Sequence, residues 1–504
     1  MAAQAAGSSS GASLRRELNI WEAIGLSVAL MAPSMAANIN PQGTAQTVGR
    51  AVPLAFALAT VGVLLVAWTF VRLCQKFHHA GSVYGFVGAT LGARTGVVSG
   101  WSLMGTYTFY GVVTSTACGI LGTDFLTSVG VWPSPPWWGP FIVSGVVLIG
   151  VALLTISPVR IGTRVLLAVE GTTVLLIVAV AVVVLIRLLS GTAPHGGHAT
   201  WSVFSVPHGT GSSALFLGVV FGFLSFAGFE AAATLGEEAK EPRRDIPRAI
   251  LGTAIFGGVY FVFVTAVEVM GFGATPAGMK RFVGSGSLMG DLGSSYIAAW
   301  IGDLITFGAA VSAFACALAC GVGASRLLFA LSRDGVGPER LGRISTRRGT
   351  PVAASVLVIA GMYVFDIVCV IAFHAKPFDV FTWSATIGTL ILLVVYVLAT
   401  LGAVRLVFFS GERSAFTWEI IVPALALLVL GYTIYRNVLP YPQGAAAWFP
   451  VVAAVWILLS VALVVSRPSV AHRAGERLMH EEGLGTVASS PTFGAEAPGR
   501  PVGT

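Results

Sequence analysis

Charge is what this 504-residue chain has least of: Asp, Glu, Lys and Arg together make up 10% of it, against about 25% in soluble globular domains. With hydrophobic residues at 55% and a mean hydropathy of +0.85, a soluble globular protein is excluded. Cysteine is scarce as well. Cys74, Cys118, Cys316, Cys320 and Cys369 lie within or at the ends of apolar runs, with no CxxC and no secreted-framework spacing, which argues against a disulfide scaffold and a metal site. HExxH, a GxSxG elbow, a Walker loop and clustered Cys/His ligands are all missing. A membrane-embedded hydrolase or an ATP-driven pump therefore has no visible machinery, and no cofactor is called for. No selectivity-filter or charge-ring motif points to a channel.

What the chain has instead is apolar length. Charge-free runs at 51–71, 95–123, 304–325, 380–404 and 444–466 each reach the ~20 residues that a helix needs to cross ~30 Å of hydrocarbon. Transmembrane strands would alternate in polarity, and these runs do not. With the shorter runs bounded by charges, about twelve spans are predicted, beginning near Ile20, Ala51, Thr95, Trp137, Arg164, Ser212, Pro247, Tyr296, Pro351, Phe378, Thr417 and Gly444. The expected class is all-α and integral to the membrane.

Short cytoplasmic loops hold the excess of Lys and Arg in membrane proteins. With the N-terminus inside, 23 of the 29 basic residues fall in cytoplasmic segments, and only Arg50, Arg187, Lys280, Arg281, Lys376 and Arg436 fall outside. A multi-pass plasma-membrane protein with both termini in the cytoplasm is expected. The net charge of +7 reflects that orientation, and no nucleic-acid partner follows from it. Residues 1–18, rich in Ala, Ser and Gly at their start, read as a disordered cytoplasmic tail. The first apolar segment lacks a signal-peptide cleavage site and stays as the first span. A transporter core is expected over 19–408 and two peripheral helices over 417–466. The stretch 467–504, mixed in charge with Gly, Pro and Ser, reads as a floppy cytoplasmic end.

Two spans are interrupted at mid-membrane, 26–38 around Ala32-Pro33-Ser34 and 215–238 around Ala227-Gly228-Phe229-Glu230. An exposed backbone N–H or C=O is costly in hydrocarbon, so a helix breaks at that depth only where protein, water or a solute satisfies the freed groups. Paired breaks in equivalent places of two halves mark a transporter's binding site. The first span enters from the cytoplasm and the sixth from outside. Two five-helix units, about 19–190 and 212–408, are therefore expected as an inverted repeat suited to alternating access.

The first break suits a zwitterion. Pro33 has no N–H and disfavours α geometry at Ala32, which leaves the amides of Ser34, Met35 and Ala36 to turn toward a carboxylate. Carbonyls near Ala32 and at Phe226 and Ala227 would accept from an ammonium. The competing reading is a proline kink of the ordinary membrane kind. At the second break Gly228 permits close backbone approach, and Phe226 is the ring best placed to cap a solute; Phe223 and Phe229 fit ordinary packing as well.

The stretch from Phe226-Ala-Gly-Phe-Glu230 through Gly236-Glu-Glu-Ala-Lys-Glu-Pro-Arg-Arg-Asp-Ile-Pro-Arg-Ala-Ile250 resembles the sixth-to-seventh-helix signature of the amino acid-polyamine-organocation permeases. Ala80-Gly-Ser-Val-Tyr84 with Gly100-Trp101, and Ala324-Ser-Arg-Leu-Leu-Phe329 with Arg333-Asp-Gly335, resemble two further stretches of that family. The resemblance implies a leucine-transporter-type fold, with ten core helices in two inverted repeats, two C-terminal helices, and substrate loops at both breaks. Where such permeases often read Gly-Ser-Gly in the first helix, this chain reads Met31-Ala-Pro-Ser-Met-Ala-Ala-Asn38.

Two acids stand inside spans, where an ionised group costs roughly 2.5–3.5 kcal/mol on insertion scales. The family commonly carries an acid at the position of Glu230, which implies proton coupling or a tie between helices; a carboxyl bonded to a backbone carbonyl is the structural alternative. Some relatives place a proton-carrying lysine near the position of Glu170. A carboxyl there can load and release a proton, or simply pair with an arginine. A sodium site is the rival scheme, but 312–320 offers one hydroxyl, Ser312, and two thiols, a poor set for a hard cation. Tyr107 and Tyr110 can present hydroxyls to the cavity, with Tyr107 favoured. Asp303, Glu268 and Asp366 fall toward span ends and His195, His198 and His208 in an outer loop, so all six are expected in solvent. The function expected is a permease importing an amino acid with protons. The alternatives are a polyamine or organocation importer, an exchanger, and a nutrient receptor that binds without transporting.

Overall fold

In the computed structural model the described residues are 20–77, 83–156, 163–194, 197–235, 240–345, 348–409 and 416–481. The expected tail 1–18, the end of the chain beyond 481, and the motif stretches 80–82 and 236–239 lie outside them. The described elements are helical, with no strand among them, and ten helical stretches are long and apolar enough to cross a membrane.

The first broken span forms α1 (Ile20–Leu30) and α2 (Pro33–Val48), followed by α3 (Val52–Lys76), the short α4 (Val83–Leu91) and the long α5 (Ala93–Ser128). Then come α6 (Gly139–Ile156) and α7 (Thr163–Leu189), α8 (Leu215–Phe226) with a 3-10 turn at Ala231–Leu235, and α9 (Pro242–Phe272). Two short helices, α10 (Pro276–Val283) and α11 (Leu288–Tyr296), precede α12 (Ala299–Arg333), α13 (Val352–Phe373) and α14 (Pro377–Phe408). The chain continues through α15 (Ile421–Val438), α16 (Trp448–Ser466) and α17 (Pro468–Glu481). Proline opens α2, α9, α10 and α14 at the first helical position, where its missing N–H has no intrahelical partner to lose.

Helix packing falls into two groups. The broken spans pack on each other and on α3 and α9, through the pairs α2 with α8, α3 with α9, α3 with α8 and α1 with α9. The second group gathers around α5, which α12, α14, α6 and α4 all flank. Asn40 Nδ2 donates to Ser225 Oγ at 2.7 Å and Thr44 Oγ1 to the Gly218 carbonyl at 3.1 Å, so polar contacts lock α2 to α8 where small residues let the backbones approach.

Two expectations are corrected here. Glu268 is fully buried in α9 and Asp366 nearly so in α13, the latter with the Ser144 and Thr116 hydroxyls at 3.4 and 3.5 Å. Neighbouring helices cover both, α11 and α7 beside α9, α5 and α6 beside α13; a position near a span end is not thereby a position in water. Asp303 is half-buried, His198 and His208 are exposed, and His195 lies outside the described residues. Secondly, the floppy end expected from 467 begins as α17. Ala471 and Ala474 pack with Val97, Leu331 and Val464, while Arg477 Nη1 meets Asp334 Oδ1 at 3.3 Å. Composition marks this stretch as polar, but its small apolar residues recur at helical spacing and so form a docking face.

Candidate functional site

The first break is sharp. Helix α1 stops at Leu30, Ala32 takes a left-handed conformation with φ 47° and ψ 55°, and α2 restarts at Pro33. At the second break Gly228 has φ 105°, and a Cβ there would lie 3.1 Å from the Leu30 carbonyl carbon. The two breaks therefore touch backbone to backbone, which only glycine at position 228 allows.

Beside the contact lies a cavity of about 220 Å3 bounded by both breaks and by α5, α12 and α14. Met35, Tyr107, Ala227, Gly228 and Glu230 line it, joined by Tyr110, Thr106, Thr114, Cys316 and Cys320 and by Leu30, Met31, Leu103, Leu224 and Leu392. It extends to Val83 and Gly323, toward the arginine-rich ends of α12 and α14. Tyr110 Oη sits 2.9 Å from Thr389 Oγ1, tying α5 to α14 behind the wall.

Other expected site residues lie elsewhere. Ala32, Pro33, Ser34 and Ala36 are buried and do not line the cavity. Phe226 is not over it either; its ring is fully buried, edge-to-face on Phe261 at 5.4 Å. The amides expected to face a carboxylate already have acceptors. Ser34 N–H donates to Glu170 Oε1 at 2.9 Å, Met35 N–H to Ser312 Oγ at 3.4 Å, and Ala36 N–H to the Ala32 carbonyl at 2.9 Å. Glu170 thus reaches from α7 to the first break, and it does not line the cavity. Glu230 faces the cavity itself. Its carboxyl lies beside the Gly228 and Glu230 backbone N–H groups and the buried Tyr396 hydroxyl.

Further along α2, amide side chains tie that helix to the start of α11 and the turn before it. Asn38 Oδ1 accepts from Ser287 Oγ at 2.8 Å, Met289 N–H at 3.0 Å and Gly290 N–H at 3.3 Å, while Asn38 Nδ2 donates to the Ser34 carbonyl at 2.8 Å. Gln42 Nε2 adds a bond to the Ser285 carbonyl at 2.7 Å. The sequence reading assigned Asn38 and Gln42 no role; the available signal was amide side chains in a membrane-depth helix, which need partners there.

A family model described as "Amino acid permease" matches residues 24–476. The chain belongs to the amino acid permease family, within the amino acid-polyamine-organocation superfamily. It is a multi-pass membrane protein of a transporter family. The branched-chain amino acid permease BcaP of Bacillus subtilis (strain 168) is 26% identical over 75% of this chain and 78% of its own length. The low-affinity putrescine importer PlaP of Escherichia coli (strain K12) is 26% identical over 68% of this chain and 73% of its own, and the human cationic amino acid transporter 4 is 25% identical over 68% and 54%.

Proposed function

We propose that this permease imports an amino acid or related amine across the plasma membrane by alternating access, with protons carried on Glu170 or Glu230. The observation that carries the reading is the meeting of two broken helices beside a cavity, with Glu170 bonded to the first break and Glu230 of the second lining the cavity. In this reading about twelve spans form two inverted five-helix repeats, 19–190 and 212–408, with two peripheral helices over 417–466 and both termini in the cytoplasm, as the loop charges favour. The group of α1, α2, α3, α8 and α9 rocks against the group around α5. The conformation is closed outside by Asn38 and Gln42 and reaches toward the cytoplasm at Val83 and Gly323. Glu170, bonded to the first break, senses the state of that break: a proton gained or lost there alters the acceptor that holds Ser34. The names of the relatives, permeases for branched-chain amino acids and an importer of putrescine, support the solute class.

The test is uptake by the full chain in liposomes under an inward proton gradient, with a panel of labelled amino acids and amines and with sodium gradients and internal substrate as controls. Accumulation that collapses with the proton gradient is expected. Uptake that needs only internal substrate makes the protein an exchanger, and binding without flux across the panel makes it a receptor; either result overturns the proposal.

A further inference from the structure

We infer that the cavity is built for a protonated amine with an apolar body and no carboxylate, held by Glu230 as its counter-ion. The inference rests on the transport reading above and assigns its substrate class. It follows from counting donors and acceptors at the two breaks.

A carboxylate needs hydrogen-bond donors or a cation, and the first-break amides expected to supply them are already taken. At the first, Met31 and Ala32 N–H donate to the Ser27 and Ala29 carbonyls at 3.2 and 3.1 Å, Pro33 has no N–H, and the next three amides go to Glu170, Ser312 and Ala32. At the second, Ala227, Phe229, Ala231 and Ala233 N–H donate to backbone carbonyls at 2.9–3.1 Å, and the Glu230 carboxylate lies beside the Gly228 and Glu230 N–H groups and the Tyr396 hydroxyl. Two carboxylates of the protein itself thus occupy the places where a substrate carboxylate would bind. Among the described lining residues there is no Lys, Arg or His, so an incoming carboxylate would meet Glu230 as a like charge without compensation.

For an ammonium the position is reversed. Glu230 lines the cavity beside the buried Tyr396 hydroxyl, and its carboxylate would meet an ammonium as an opposite charge. Glu230 is also the single charged side chain among the described lining residues, because Glu170 lies behind Ser34 and off the cavity wall. A second ammonium, as in a diamine, would have no counter-ion. The rest of the wall is dominated by Leu30, Met31, Met35, Leu103, Leu224 and Leu392, which suits an aliphatic or aromatic body. The volume, about 220 Å3, lies below the ~300 Å3 where drug-sized pockets begin, so the body is short. With Glu230 engaged by substrate, Glu170 is left as the proton carrier.

The experiment compares each amino acid with its own decarboxylated amine, using the full chain in liposomes: leucine against 3-methylbutylamine, phenylalanine against 2-phenylethylamine, and putrescine as the diamine. Uptake and competition should favour the monoamine of each pair by roughly tenfold or more, one decade per 1.4 kcal/mol of discrimination, with putrescine the weaker competitor. Glu230→Gln should weaken monoamine binding by roughly 30-fold or more, the loss expected when one member of a buried charge pair is removed. The wild-type panel alone decides the matter if that variant does not fold. Transport of the amino acids but not their amines overturns this inference and leaves the transport reading standing. Putrescine equal to the monoamines overturns the single-counter-ion assignment, and absence of flux for the whole panel overturns the transport reading as well.

Discussion

Asn38→Ala is the substitution whose effect follows most directly from the geometry. Helix α11 begins at Leu288, so Met289 and Gly290 carry first-turn amides that no carbonyl within the helix can reach. Ser287 at the cap position makes no side-chain cap bond. The missing cap comes from another helix: Asn38 Oδ1, fully buried, accepts both amides and the Ser287 hydroxyl. Alanine removes that acceptor. The serine hydroxyl can rotate away, but the two amides cannot, and each buried donor left unpaired costs about 1–3 kcal/mol. Helix caps replaced by alanine elsewhere lose about 0.5–2 kcal/mol. Taking about 2–4 kcal/mol for the pair gives roughly a 30- to 1,000-fold shift toward an opened α2–α11 contact. Hydrogen exchange followed by mass spectrometry on the full chain in nanodiscs reads this locally, and the amides of Met289 and Gly290 should exchange faster by that factor. Net uptake should fall too if the proposed transport cycle needs the α2–α11 contact. Unchanged exchange at these two amides in a folded variant would sink the argument that Asn38 caps α11.

Glu170→Gln keeps an acceptor for the Ser34 N–H but cannot ionise, so accumulation driven by a proton gradient should be lost while counterflow against internal substrate persists; accumulation retained would remove Glu170 from coupling. Gly228→Ala forces a side chain into φ 105° and against the Leu30 backbone, a strain of about 1–3 kcal/mol, and should lower both the thermal midpoint and uptake; a variant with wild-type melting and flux would refute the close approach of the breaks. Arg477→Ala deletes an exposed partner of Asp334, which Arg333 Nε also contacts at 3.3 Å. The buried Asp334 carboxylate keeps Arg333 when the exposed Arg477 is lost, so the thermal midpoint should move only modestly, and a large drop would show that α17 is held by this pair rather than by Ala471 and Ala474.

Much of the fold was legible because hydrocarbon imposes a local rule. A span must carry its apolar residues consecutively, so its position is visible without knowing its neighbours. The observed starts at Ile20, Val52, Ala93, Gly139, Thr163 and Pro377 lie within a few residues of the predicted ones. Both breaks were also visible, since Pro33 and Gly228 act on their own backbone. Glu268, Asp366 and α17 were misread for one reason: burial of a polar group or a polar helix depends on which neighbour covers it, and no run of sequence records that.

The candidate site divides along the same line. The chain by itself determined an all-helical membrane protein, the uneven spread of its loop charges, the two interruptions, and the presence of acids at Glu170 and Glu230. Only the tertiary structure decided that Glu170 accepts from the Ser34 amide of the first break while Glu230 lines the cavity. Ser34 and Glu170 are 136 residues apart and meet through α2 and α7. Hydropathy and backbone preference act over a few residues, whereas which donor satisfies which buried acceptor is settled by helices brought together from distant parts of the chain.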